Sequence, residues 1–325
     1  MDNQAAVTGK RAVRLTADGV QNITIFVIFM AVCAVGYFFE PELFMSNENI
    51  INIFVSSSSV IMVAAPVTLV LISGNLDLSV GGVGAMCAVL FGLMTHYGVS
   101  IPLAVLFSIL CGAASGFICG LSISAFALPS FIISLAFKYI GRGVALIGAH
   151  GAVVFGIPYG VAPIGGSMFG FPLPMLYAIA ATLIFMFIQA NTVFGSKCYA
   201  TGANMQASKL SGVSDKLVVT GVFTLSGIMA AFAGIVLTSR VIAADSGIFP
   251  SLESDCIIAA VLGGTDINGG RGTVFGMFIG ALFITVLTNI MNMQGLTVYV
   301  QNVVKGFVLI LAIVLNGVIR ERVRV

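Results

Sequence analysis

The chain has 325 residues, of which 59% are hydrophobic and only 8% charged, with 38 glycines, no tryptophan, a mean hydropathy of +1.12 and a formal net charge of +2. Soluble domains carry roughly 25% charged residues. A water-soluble enzyme, a disordered regulator and a secreted disulfide scaffold are therefore excluded, and with no basic stripe nucleic acid is not an expected partner. At roughly 20 residues per crossing the apolar residues suffice for about ten passages of a bilayer.

Hydrocarbon admits only helices or closed barrels, because every backbone polar group must be paired internally. The apolar runs are long and lack the period-two alternation of a barrel strand, so an all-α polytopic membrane protein is expected. In chain order, a tail (1–19) with Lys10, Arg11 and Arg14 precedes an uncleaved first span near 20–39. Further spans are expected near 50–73, 80–97, 101–125, 130–149, 173–191, 217–239, 254–263, 273–294 and 299–319, followed by a C-terminal tail at 320–325. The eighth, ending at Gly263-Gly264, is too short to cross and reads as a half helix. Residues 20–319 form one transmembrane domain on this reading.

Lys and Arg concentrate before span one, at Lys197, Lys209 and Lys216 between spans six and seven, and at Arg320, Arg322 and Arg324. An even number of spans places all three groups on one side, so both termini are expected in the cytoplasm. The opposite links carry Glu40, Glu42 and Glu48, or Asp245 and Glu253, and the link 150–172 is rich in glycine and proline with no sign of a folded domain.

Gly74 to Gly81 and Gly263 to Gly270 share the pattern G-x-x-D-(apolar)-x-x-G at a constant offset, each after an apolar run and before a glycine-rich helix. Such an echo is a chance product of abundant glycine or a duplicated element placing a solute site between half helices. Asp77 and Asp266 are expected to cap the helices that follow, with Ser79 in a weaker version of the same role, or to form gating hinges with Asn75 and Thr265 beside a solute path. No acid is expected deeper within a span. Lys138 and Arg142 lie four apart on one face of span five and either snorkel to the headgroups or line a hydrated cavity. Ser57, within the run Ser56 to Ser59, and Asn289, with Asn292, are candidates for helix contacts or a path wall. Gly112, Gly116 and Gly120 form a small-residue face for close packing.

The six cysteines (Cys33, Cys87, Cys111, Cys119, Cys198 and Cys256) lack CxxC spacing and read as small buried hydrophobes. No Walker A sequence, nucleophile elbow or zinc-protease pattern occurs. Energy must then come from a partner or from the solute's own gradient. The segment 192–216, with a helix-capable stretch from Ala203 to Leu210 between Gly202 and Gly212, is an ordinary surface link or a docking helix.

ISGNLDLSVGG (72–82), YATGANMQASKLSGVS (199–214) and AAVLGGTDINGGRGTVFG (259–276) together resemble, in order and spacing, the ribose-type permeases of bacterial ATP-binding-cassette importers. The likeness covers roughly 20–319 and departs from the usual family pattern at Asn75-Leu76, Met205-Gln206 and Lys138. It implies a multi-pass subunit of the bacterial inner membrane that moves a monosaccharide or similar small polar solute by alternating access. The implied partners are a second permease, identical or paralogous, a cytoplasmic ATPase and a periplasmic solute-binding protein. ATP and magnesium would reside on the ATPase, with no cofactor on this chain and no enzyme activity of its own. Docking would fall to Asn204, Ala207, Ser208, Lys209 and Gly212. The competing reading is a secondary carrier or channel acting alone, which buried carboxylates or a carbonyl-lined filter would favour.

Overall fold

A computed structural model describes residues 17–323. The tail 1–16 with Lys10, Arg11 and Arg14, residues 324 and 325, and the side chains of Arg320 and Arg322 lie outside the described residues. The helices are α1 (Ala17–Phe39), α2 (Asn47–Ile72), α3 (Val80–His96), α4 (Ile101–Phe126), α5 (Ser130–Gly148), α6 (Leu173–Asn191), α7 (Val193–Ala203), α8 (Met205–Leu210), α9 (Asp215–Val241), α10 (Leu252–Leu262), α11 (Val274–Met293) and α12 (Val298–Val323). Six of them, α2, α4, α5, α6, α9 and α11, are long and apolar enough to cross a bilayer. The expected span boundaries fall within a few residues of the observed ones. The link 150–172 holds a short 3-10 helix, Tyr159–Val161, one α-helical turn, Ala162–Gly165, and a two-stranded hairpin of β1 (Ser167–Met168) and β2 (Phe171–Pro172), paired antiparallel with Ser167 opposite Pro172.

The core sits around α2, whose residues from Val60 to Ile72 are buried without interruption. A helix that is apolar all round belongs at the centre of a bundle, and α2 packs against α6, α9, α10 and α11. The tightest neighbours are α4 and α9. A Cβ at Gly112, Gly116 or Gly120 would collide with the α9 backbone at Gly227, Phe223 and Thr220, so the stripe of small residues in α4 lets two backbones touch, as its spacing predicts.

Two of the apolar segments are discontinuous. At about 1.5 Å per residue α10 is roughly 16 Å long, about half the hydrocarbon thickness. The chain reaches its start through the non-helical, turn-rich stretch 243–251, which runs beside α3 from Ala244 against Gly92 to Phe249 against Gly84 and Gly81. The extended stretch 74–79 leads into α3 in the same manner. The first turns of α3 and α10 touch, with Gly81 against the Glu253 carboxylate and the Phe249 carbonyl. From that contact α10 runs towards the end of the bundle that carries α7 and α8, while α3 runs towards the end that carries the hairpin.

Candidate functional site

An unwound stretch among apolar helices leaves N–H and C=O groups that water does not reach, so each needs a partner from the protein. Most of those partners come from one face of α5. Ser130, Ser134, Lys138 and Arg142 recur every fourth residue and so form one row along the helix. Ser130 Oγ accepts the Leu76 N–H at 3.1 Å, and Ser134 Oγ donates to the Leu76 carbonyl at 3.2 Å. Lys138 Nζ donates to Glu253 Oε1 at 2.5 Å. The Arg142 guanidinium donates to three carbonyls of the second stretch: that of Ser246, that of Ile248 at 2.7 Å and that of Phe249 at 3.1 Å. Ala244 completes the set through a reciprocal backbone bridge to Val154, at 2.8 and 3.0 Å. Asp245 Oδ1 accepts the Gly247 N–H at 2.8 Å. Close approach at this level needs glycine, because a Cβ on Gly82 would strike the Lys138 carbonyl and one on Gly141 the Gly82 backbone.

Lys138 and Arg142 thus neither snorkel nor point into open water; their fixed charges hold a broken span in shape. Two helix N-termini abutting would repel through their dipoles, and carboxylates placed there offset the repulsion. Glu253, in the first turn of α10, is 3% exposed, with Oε1 on Lys138 and no partner for Oε2 among the described residues. Asp77, 1% exposed, accepts from the Ser79 N–H at 2.8 Å, from Ser79 Oγ at 2.6 Å and from Ser226 Oγ of α9 at 2.6 Å. The expectation that acids are missing from the depth of the bundle is therefore wrong for Glu253, which is no loop residue, and for Asp255 of α10, which pairs with Lys305 of α12 at 2.8 Å. Glu253 was hidden because the apolar run was counted from residue 254, whereas the helix starts two residues earlier; Asp255 lay within the expected span and was overlooked there.

The two echoed loops share a local design and then diverge. Each closes the preceding helix with a left-handed glycine, Gly74 (φ +80°) or Gly264 (φ +96°), and with an N–H returned to the last turn, Asn75 to Val70 and Thr265 to Ala260. In each the aspartate then accepts the N–H two residues on, Ser79 at 2.8 Å and Asn268 at 2.9 Å. Ser79 does not cap α3 through its hydroxyl as expected, because that hydroxyl is spent on Asp77. Asp266 does not cap α11 either. Gly269, Gly270 and Gly272 hold positive φ and keep the chain out of the helix until Thr273, which caps it by accepting the Gly276 N–H at 3.0 Å. Thr265 is fully buried against Gly272, and its hydroxyl has no partner among the described residues.

Asn75 is buried and donates to the Ser73 carbonyl and hydroxyl at 3.3 and 3.2 Å. Ser57 is buried and donates to its own helix at the Phe54 carbonyl, while Ser56, Ser58 and Ser59 line an open cavity. Asn289 of α11 exchanges amide hydrogen bonds with Asn49 of α2, at 2.7 and 3.2 Å, and borders a smaller cavity.

The segment 192–216 folds into two consecutive helices. Asn204 ends α7 and caps α8, its Oδ1 accepting the Ala207 N–H at 3.0 Å. Gly212, at φ +81°, closes α8 with the Val213 N–H returned to the Ser208 carbonyl. Asn204, Ala207, Lys209 and Gly212 are exposed, Ser208 is buried, and Lys209 pairs with Asp215 at 2.9 Å. Burial pushes the Cys198 thiol of α7 up to about 12. The end of α7 is wedged between both echoed loops. Gly202 sits where any Cβ would overlap the Ile72 carbonyl and the Gly270 N–H, and those two groups hydrogen-bond to each other at 2.7 Å. Tyr199 Oη donates to the Gly272 carbonyl at 2.6 Å, and Gln189 of α6 joins it there, donating to Tyr199 Oη and to the same carbonyl at 2.9 Å. Gln189 also accepts the Val274 N–H at 2.9 Å. Sequence reasoning missed this network because Gln189 and Tyr199 look ordinary at the edge of an apolar run.

Discontinuous spans whose helix ends meet inside the bundle, with an exposed helical module seated against their junctions, define a membrane transport permease. The chain belongs to the family described as the branched-chain amino acid transport system permease component, which matches residues 49–313. It is 34% identical over 307 residues to the ribose import permease protein RbsC of Bacillus subtilis (strain 168), covering 93% of this chain and 95% of that one. It is 32% identical over 278 residues to the autoinducer 2 import system permease protein LsrC of Salmonella choleraesuis (strain SC-B67), covering 85% and 80%. The corresponding protein of Escherichia coli O9:H4 (strain HS) is 31% identical over 288 residues, at 87% and 83% coverage. No solved structure matches. The ribose-type resemblance is borne out at the level of the family: the chain is an ATP-binding-cassette permease similar to the ribose and autoinducer 2 import permeases, embedded in the bacterial inner membrane.

Proposed function

We propose that the chain is the pore-forming subunit of an ATP-driven, binding-protein-dependent importer, moving a monosaccharide or similar small polar solute by alternating access. The observation that carries the reading is the seat of Gly202: the end of α7, within the α7–α8 module, bears directly on the Ile72–Gly270 hydrogen bond, which joins the end of α2 to the glycine turn of the second echoed loop. A force applied to α8 from outside the bundle enters the broken spans at that point. On this reading α8 is the docking surface of a cytoplasmic ATPase that holds the ATP and magnesium, with Asn204, Ala207, Lys209 and Gly212 at the contact and Ser208 beneath it. Ten passages with both termini in the cytoplasm follow from counting α3 and α10, each with its non-helical lead, as one crossing apiece. A second permease and a periplasmic solute-binding protein complete the assembly. Two ATPase states that bind the module with different affinity supply the free energy for switching.

The test is reconstitution in vesicles of the chain with and without its ATPase and solute-binding protein. Concentrative uptake of D-ribose or another pentose or hexose is expected only with all components and ATP. Accumulation by the chain alone overturns the reading. So does uptake in the full assembly that persists without ATP.

A further inference from the structure

Away from the pinned spans, α2, α9, α10 and α12 enclose a cavity of about 480 Å³, within the range of about 300–1,000 Å³ typical of small-molecule sites. Its mouth lies at the end of the bundle remote from α8, beside Arg240 at the end of α9 and Val298 at the start of α12, and its floor is the first turn of α10. A smaller cavity of about 170 Å³ continues along α11 past Asn289, Thr288 and Thr285. The two share Ser56, Val60, Asp255, Asn292 and Lys305, so the Asp255–Lys305 ion pair stands on the boundary between them.

The polar groups are those that recognise hydroxyls. Asp255 is acceptor-only, and Lys305 has three donors, of which one is spent on Asp255 at 2.8 Å. Gln301, buried, is held in place by donating to Asn292 Oδ1 at 2.7 Å and to the Leu296 carbonyl at 2.8 Å. Ser56 and Ser59 add two hydroxyls from α2, and Val55, Val60, Val236 and Leu237 add apolar lining. The interior charges cancel within the pair, and the surplus charge, Arg240, is an exposed rim residue. A zwitterion needs separate unpaired charges of both signs; a neutral ring with hydroxyls on its edge and C–H groups on its face does not.

We propose that this chamber is a solute-holding site for one neutral polyhydroxylated molecule of monosaccharide size, with Asp255, Lys305, Asn292 and Gln301 as its hydroxyl-recognising groups. The site rests on the importer reading and adds to it where the solute waits: inside one chain, above the half helix α10.

The experiment uses right-side-out vesicles carrying the complete importer, with Ser59→Cys in the chain and a membrane-impermeant cationic thiol reagent added outside. ATP-driven uptake of D-ribose, D-xylose, D-glucose and D-galactose by the unsubstituted importer, measured in parallel, identifies the transported sugar. Labelling of the introduced thiol above the background of the unsubstituted chain is expected, slowed by about fivefold or more by that sugar at saturation and unchanged by L-leucine at the same concentration. Should Ser59→Cys fail to insert, Asn302→Cys at the rim gives the same readout. No labelling, equal labelling with and without the transported sugar, or protection by L-leucine instead overturns the chamber while leaving the importer reading standing. Absence of ATP-driven uptake of all four sugars overturns that reading and the chamber with it.

Discussion

Arg142→Met is the perturbation that most directly probes how a broken span survives in lipid. The guanidinium donates to three carbonyls of the stretch 246–249, and no helical N–H is available to replace it. Each orphaned carbonyl costs about 1–3 kcal/mol. Arg142 is partly exposed, so water admitted to the gap recovers some of that, and a net loss of about 3–5 kcal/mol is expected. At about 2–4 °C per kcal/mol this lowers Tm by roughly 6–20 °C, read as loss of the monodisperse species on heating in detergent. Arg142→Lys keeps the charge but is a compact donor that reaches fewer carbonyls, so it should melt between the two. An Arg142→Met chain melting within about 2 °C of the unsubstituted one would refute the claim that this side chain sustains the unwound backbone.

Lys138→Met leaves a buried carboxylate without its cation and should cost about 3–5 kcal/mol, while adding Glu253→Leu should restore most of the loss; equal melting of the single and double variants would show that Lys138 and Glu253 do not couple. Gly202→Ala places a methyl on the Ile72 carbonyl, an overpacking of about 1–3 kcal/mol, and the variant should insert yet lose solute-stimulated ATP hydrolysis in the full assembly; retained stimulation speaks against the wedge as the point of force entry. Cys198, its thiol pushed up to about 12 by burial, is fully protonated at pH 8 and should resist N-ethylmaleimide until the protein is denatured, whereas labelling of the native chain there would place Cys198 at the surface.

Span positions were legible because bilayer thickness forces long apolar runs, and Gly112, Gly116 and Gly120 because close packing leaves a four-residue spacing. The half helix was legible from its length and its terminal glycines. The polar row on α5 was half legible: Lys138 and Arg142 stand out by charge, but Ser130 and Ser134 do not, since serine is common in spans and only the fold brings Leu76 to them. Glu253 was misplaced into a loop because an acid beside an apolar run normally marks its wet end, and here the chain reaches that acid through a non-helical stretch packed against α3. Asp266 illustrates the converse: the matching motif gives a matching turn, and three glycines downstream then separate it from the helix it was expected to cap.

The placement of fixed charge bears on how the two broken spans can move. Ser130 and Ser134 hold the stretch before α3, and Lys138 and Arg142 hold the start of α10 and the stretch before it, all from one continuous helix. Slippage of either stretch along α5 would strand carbonyls and a carboxylate in a low-dielectric interior, at several kcal/mol for each charge exposed there. The other ends of the same elements are free of such ties: Gly74 and Gly264 are left-handed glycines, and Gly269 packs against Gly74 and Gly202 with backbone alone. Rotation at those glycines costs little, whereas rotation at the charged row costs much. On the proposed importer reading, a displacement of α7 would be accommodated at the Gly74, Gly264 and Gly269 junctions, with α3, α5 and α10 shifting as one body. The first turn of α10, which borders the chamber, would travel with that body, so a small movement entering beside Gly202 would alter the wall of the proposed solute site.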